Sequence, residues 1–88
     1  MKTTFRKSFE RDLKKIKDHD LLDRIRKVIE GVETADDLQG ISNFKKIAGT
    51  ADFYRIRVGE YRIGTVVEGD NVDFVRCLPR RDLYRFFP

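Results

Sequence analysis

Six residues are of types that can grip and polarise a phosphate. Arg55, Arg57 and Arg62 lie in the run Y-R-I-R-V-G-E-Y-R-I, and Arg80, Arg81 and Tyr84 lie close to the end of the chain. An arginine guanidinium is planar, always charged, and offers a fork of donors that matches two phosphate oxygens. A tyrosine adds a ring that stacks on a nucleobase and a hydroxyl that can assist proton transfer. Other chemistries lack their parts. His19, the sole histidine, reads as a surface turn residue, which makes a Ser-His-Asp set not credible, and with Cys77 the sole cysteine no Cys/His zinc spacing and no disulfide within the chain can be assembled. The carboxylates are scattered through turns and the glycines are isolated, so a glycine-rich phosphate loop is missing too. Cys77 reads as a buried, inert thiol. No metal or other cofactor is implied.

The totals fit an anionic partner. The 88 residues carry 19 Lys+Arg against 15 Asp+Glu, a net charge of +4, with an isoelectric point near 9.4. The distribution says more. Up to Lys46 the bases mix eight Lys with four Arg; beyond it all seven are Arg. A chain of this length reads as a single domain, 1–88, with a modest core that a partner would help to stabilise. No apolar run is long enough for a membrane span, and the first residues lack the apolar core of a signal peptide. A soluble cytoplasmic protein is expected.

The elements that must position the six residues can be read from the same runs. Polar and apolar residues alternate on both sides of Gly59-Glu60, which signals a hairpin with Gly at the first central position of the turn. A two-residue loop sets Val58 opposite Tyr61, Ile56 opposite Ile63 and Tyr54 opposite Thr65 on one largely apolar face. Arg55, Arg57 and Arg62 fall on the other. Arg57 then faces Arg62 directly, and Arg55 faces Gly64, which offers no side chain. Like charges opposed on one sheet face are destabilising. The arrangement is either a seat for a polyanion or a solvated face on which long side chains splay apart.

Around this hairpin the chain reads as α+β. Lys2–Phe5 is a candidate first strand. From Arg6, the spacing of Phe9, Leu13 and Ile16 predicts an amphipathic helix, with Arg11, Asp12, Lys14, Lys15 and Lys17 on its solvated side. Asp18-His19-Asp20 is a turn with N-cap candidates, and a second helix follows over about Leu21–Val32, giving an antiparallel helical hairpin. Residues 34–50 form a connector anchored by Phe44 and Ile47, with Lys45 and Lys46 extending the positive rim. Strands follow at about Phe53–Val58, Tyr61–Val67 and Val72–Leu78. The last has apolar residues on both faces, so its orientation stays open. Pro79 halts it and starts a short helix, which Leu83, Phe86 and Phe87 would dock. On that helix Tyr84 shares a face with Arg80 and Arg81; it is either part of the cationic group or a core anchor.

The pieces V-G-E-Y-R and R-R-D-L-Y-R, in this order of elements, resemble the RelE/ParE superfamily of bacterial toxins from toxin–antitoxin pairs, over nearly the whole chain. The resemblance implies an N-terminal strand and helical hairpin on a small, mainly antiparallel twisted sheet with a short C-terminal helix. For the RelE branch it implies an endoribonuclease that enters the ribosomal A site and cuts messenger RNA. Arg55, Arg57 and Arg62 match that branch's strand positions, Arg80 or Arg81 its C-terminal arginine, and Tyr84 its terminal tyrosine. Lys45, Lys46, Arg76 and Arg85 are the expected further RNA contacts. The ribosome, messenger RNA and a cognate antitoxin are the implied partners. Two departures stand out: the strand positions are often Lys in the family, and a His often stands where this chain has Pro79. The ParE branch, which inhibits DNA gyrase, and an inactive antitoxin- or RNA-binding module are the alternatives.

Overall fold

The computed structural model describes residues 1–88. Five strands form one sheet: β1 (Lys2–Phe5), β2 (Phe44–Lys46), β3 (Phe53–Val58), β4 (Tyr61–Glu68) and β5 (Asn71–Pro79), in the order β1-β5-β4-β3-β2. Only the β1–β5 pair is parallel. Three helices accompany it: α1 (Lys7–Lys14), α2 (His19–Thr34) and α3 (Arg80–Phe86). The expected α+β architecture is therefore present.

Local chemistry explains most boundaries. The Asp18 carboxylate accepts from the backbone N–H groups of Asp20 and Leu21 and so caps α2. His19, expected in the turn, is the first residue of that helix. Gly59 has φ +58°, a left-handed conformation that glycine adopts without the Cβ penalty, and the hairpin register is the one its position predicts. The 34–50 segment is more than a connector. Phe44–Lys46 pairs antiparallel with β3, and the Phe44 ring stacks on Tyr54 with centroids 4.6 Å apart.

A register shift settles β5. Gly64 opposes Arg76 and Thr65 opposes Phe74, which leaves Val75 as the extra residue. Val72, Phe74 and Cys77 consequently all reach the same buried cluster as Phe9 and Ile25 of the helices and Ile56 and Ile63 of the central strands. Strict alternation cannot deliver that pattern, which is why apolar residues seem to occupy both faces of this strand when only its sequence is read.

Asp12, expected on the solvated side of α1, is buried at 5 % exposure. Its Oδ2 accepts from the Cys77 backbone N–H at 2.9 Å and from Arg76 Nε at 2.8 Å, and its Oδ1 from Arg76 Nη2 at 3.2 Å. One turn earlier, Ser8 Oγ donates to the Val75 carbonyl. β1 pairs with β5 only as far as Phe74. Beyond that point these α1 side chains satisfy the exposed edge of β5, as a sixth strand would have done.

Two expectations follow. Asp12→Ala strands a buried N–H and a half-buried guanidinium together, so unfolding in urea should show a loss of about 3 kcal/mol. Asp12→Asn, which keeps an acceptor, should lose less; a loss equal to that of Asp12→Ala would mean that a neutral acceptor contributes nothing and that the carboxylate charge carries the contact. Burial, aided by the Asp12 carboxylate, pushes the Cys77 thiol up from 9.0 to about 12. The unfolded chain therefore gives up its thiol proton first. The contribution of Cys77 to stability is complete below pH 9 and is lost as the pH rises towards 12. Thiol labelling of the native protein at pH 8 should proceed only as fast as unfolding.

Candidate nucleic-acid interface

The two faces of the sheet differ in kind. α1 and α2 contribute to the main core together with Ile56, Ile63 and Phe74. Arg55, Arg57, Arg62 and Gly64 project to the opposite face by strand alternation. There α3 docks. Its Leu83 is fully buried, and Phe87, just after it, is 5 % exposed. A Cβ added at Gly64 would stand 2.7–2.9 Å from atoms of the Phe87 ring. The vacancy opposite Arg55 is thus filled by an aromatic ring from within the chain, and the same ring meets Phe53 at 5.3 Å between centroids. Phe86, expected to dock, is 56 % exposed, with Arg85 lying over its ring.

Docking in this way brings the terminal residues to the strand arginines. Arg57 opposes Arg62 in the register. Arg62 is only 7 % exposed, and its Nη1 donates to the carbonyls of Gly59 at 2.8 Å and Tyr61 at 3.0 Å. Its pKa lies below the usual arginine value, first through burial and then through the positive charges of Arg55, Arg57 and Arg80, with the Tyr84 phenol acting in the opposite sense. No carboxylate lies within ion-pairing distance of Arg55, Arg57, Arg62, Arg80 or Arg81; the ion pairs of this chain are elsewhere. Tyr84 is 52 % exposed rather than a core anchor. With Arg55, Lys45, Lys46, Ile47 and Ala48 it lines an open recess. Lys45 stands directly opposite Arg55 on the neighbouring strand.

Of the ten residues singled out in the sequence, seven gather here: Arg55, Arg57, Arg62, Arg80 and Tyr84, with Lys45 and Lys46 at the rim. Three do not. Arg80 and Arg81 both line a recess with Glu60 and Pro79, and of the two only Arg80 is among the charges acting on Arg62. Arg85 lies over Phe86. Arg76 shares the Arg55–Gly64 row but bonds to Asp12, and so stands apart from this group. Arg24, which no local pattern marks, lies against the hairpin tip; a Cβ on Gly59 would stand 3.0 Å from its Nη1. It comes from α2, so only the tertiary fold reveals it.

A fixed cluster of unpaired guanidinium groups beside an exposed phenol can hold a polyanion, balance charge that develops on phosphoryl oxygens, and stack a base. Residues 4–84 match the family model described as the ParE toxin of the type II toxin–antitoxin system parDE. The chain is 43 % identical to Toxin RelE3 of Methanocaldococcus jannaschii over the full length of both. Its fold matches a chain in the crystal structure of a RelB–RelE antitoxin–toxin complex from Methanococcus jannaschii, with a TM-score of 0.80 and 41 % identity, covering 97 % of this chain and 99 % of that one. A YoeB dimer from Staphylococcus aureus shares the fold at 20 % identity, with a TM-score of 0.71 over 89 % of this chain and 94 % of that one.

Gly64→Ala should drive the Phe87 ring off the sheet and lower stability by about 1–3 kcal/mol in urea unfolding. In a Phe87→Ala background the same substitution has no ring to displace and should cost much less. Additive losses in the two backgrounds would show that the close approach does not hold α3 in place.

Proposed function

The chain belongs to the RelE/ParE superfamily of toxins from type II toxin–antitoxin systems, and from that premise we propose that it is a ribosome-dependent endoribonuclease that cuts messenger RNA in the A site and blocks translation. The observation that carries the reading is the convergence of Arg55, Arg57, Arg62, Arg80 and exposed Tyr84 with no carboxylate to neutralise them.

In the proposed reaction the ribose 2′-hydroxyl attacks the adjacent phosphorus, the bond to the 5′-oxygen breaks, and a cyclic phosphate remains on the upstream fragment. The proton lost by the 2′-hydroxyl is matched by one gained at the departing 5′-oxygen. Arg55 and Arg57 hold the non-bridging oxygens as negative charge grows on them, each contributing on the order of ~3 kcal/mol. Arg62, anchored by two backbone carbonyls, adds a fixed positive field from beneath. Arg80 supports the leaving oxygen. Tyr84 stacks on the splayed base and assists proton transfer. Lys45 and Lys46 guide the strand into the recess.

The cations at the centre of the cluster are all arginines, with Lys45 and Lys46 only at its rim, and an arginine does not give up its proton to serve as a base. Orientation of the substrate by the ribosome is then a large share of the rate, and free RNA should be cut weakly or not at all. A cognate antitoxin with acidic residues in the segment that covers this face would complete the pair, as RelB accompanies RelE in the similar crystal structure.

Incubation with programmed ribosomes, followed by mapping of message ends, tests the proposal. Tyr84→Phe and Arg62→Ala should each reduce cutting at A-site codons by about 10²-fold or more. Tyr84→Phe should leave the melting temperature unchanged, because the residue is exposed. Intact message together with stalled gyrase would instead assign the protein to the ParE branch, which the matching family model keeps open.

A further inference from the structure

A second group of cations lies outside this cluster. Ser8, Arg11, Asp12, Lys15 and Arg76 line an open recess of about 290 Å³ between α1 and the edge of β5, and no apolar side chain reaches it. Asp12 is already spent: Arg76 and the Cys77 N–H occupy both of its oxygens. Arg11 and Lys15, four residues apart and exposed, have no carboxylate within ion-pairing distance. Nη1 of Arg76 makes no hydrogen bond, whereas the Ser8 hydroxyl is committed to the Val75 carbonyl. Three cations therefore face the recess against a single carboxylate. Phe87 over Gly64 lies in the row between Arg55 and Arg76, so this recess is distinct from the one lined by Arg55 and Tyr84.

We propose that Arg11, Lys15 and Arg76 form a second phosphate-binding site, which holds the backbone of a structured RNA while the Arg/Tyr cluster holds the strand to be cut. The choice of RNA rests on the function proposed above. It also has support of its own in the lining. A protein segment gains much of its affinity from apolar and aromatic side chains at the centre of an interface, and no hydrophobic residue lines this recess. Phosphate oxygens need only charge and donors, which Arg11, Lys15 and Arg76 supply. Arg76 is held rigid by Asp12, so one donor is set in place before the ligand arrives. Arg11 and Lys15 contribute flexible charge on either side. Lys7 and Lys14, exposed on the same helix, continue the basic surface beyond the recess.

The test is the salt dependence of binding to a fluorescein-labelled RNA hairpin with a fully paired stem, read by fluorescence polarisation. Each lost phosphate contact should flatten the plot of log affinity against log salt by about one. The Arg11→Gln/Lys15→Gln double variant should therefore lose about two from the slope of the wild-type protein. A Lys2→Gln/Lys27→Gln control, which removes the same charge elsewhere, should lose much less. Equal slopes for the two double variants would overturn the proposal. So would a variant that keeps its RNA slope yet loses binding to a labelled polyglutamate peptide, since that would make the recess a site for an acidic protein. Both substituted residues are exposed, and an unchanged melting curve confirms that folding is not the cause. The outcome separates from that of the ribosome assay. A flattened slope without A-site cutting removes the nuclease reading and keeps this site, whereas cutting with equal slopes does the reverse.

Discussion

The contact between Phe87 and Gly64 fixes where the end of the chain lies, and with it the composition of the candidate site. The ring lies so close to the strand that a single Cβ would meet it at 2.7 Å. Close packing of this kind leaves few alternative positions for the helix that leads into it. α3 has only seven residues and no side-chain cap, and a helix that short is not stable by itself. Its geometry comes from Leu83 and Phe87, both buried against the sheet. Arg80 and Tyr84 occupy the remaining positions of the same turns. One apolar contact therefore carries a cation and a phenol to the strand arginines.

The strand arginines work against stability. Arg57 faces Arg62, and the Arg62 guanidinium is withdrawn from solvent without a carboxylate. Two carbonyls of the hairpin turn compensate in part, which is why the tight Gly59-Glu60 loop matters beyond joining two strands. The fold shows that it can neutralise a half-buried arginine when that serves structure, since Arg76 receives the bidentate Asp12 carboxylate. It does not do so at Arg55, Arg57 and Arg62. The contrast lies within one chain, between arginines of one sheet, so general composition does not account for it. The anionic ligand proposed above would account for it.

The parts legible in the sequence were those with local rules. The hairpin register, the N-cap at Asp18 and the amphipathic stripes of α1 and α2 follow from period, turn chemistry and capping, all of which act within a few residues. Hence the pattern alone puts Arg55, Arg57 and Arg62 on one face. What escaped the sequence depends on long-range contacts. Asp12 reads as one more polar residue of a basic helix until β5, sixty-odd residues later, offers it a free N–H and a guanidinium. Val75 looks like an ordinary alternating residue until Gly64 and Thr65 shift the register. Phe86 and Phe87 are equivalent on paper, and only the vacancy at Gly64 selects one of them for burial. β2, with three residues, is too short to show a period and exists because β3 presents an edge.

These long-range contacts also divide the basic charge of the chain. By register, Arg76 stands in the same row as Lys45 and Arg55, and a flat, regular sheet would have made one continuous cationic band of them. The bulge at Val75 turns the end of β5, Asp12 draws Arg76 towards α1, and Phe87 fills the space between. Two separate cationic recesses result where the row alone predicts one. A single band would bind any polyanion in many registers, because unsheathed charge on a smooth surface confers affinity without position. Separation by an aromatic wall restricts how one rigid anion can meet both recesses at once. On the reading proposed for this protein, that restriction is what a nuclease dependent on a large, structured substrate assembly requires: weak hold on loose strands, and alignment only where the phosphates are already fixed in space.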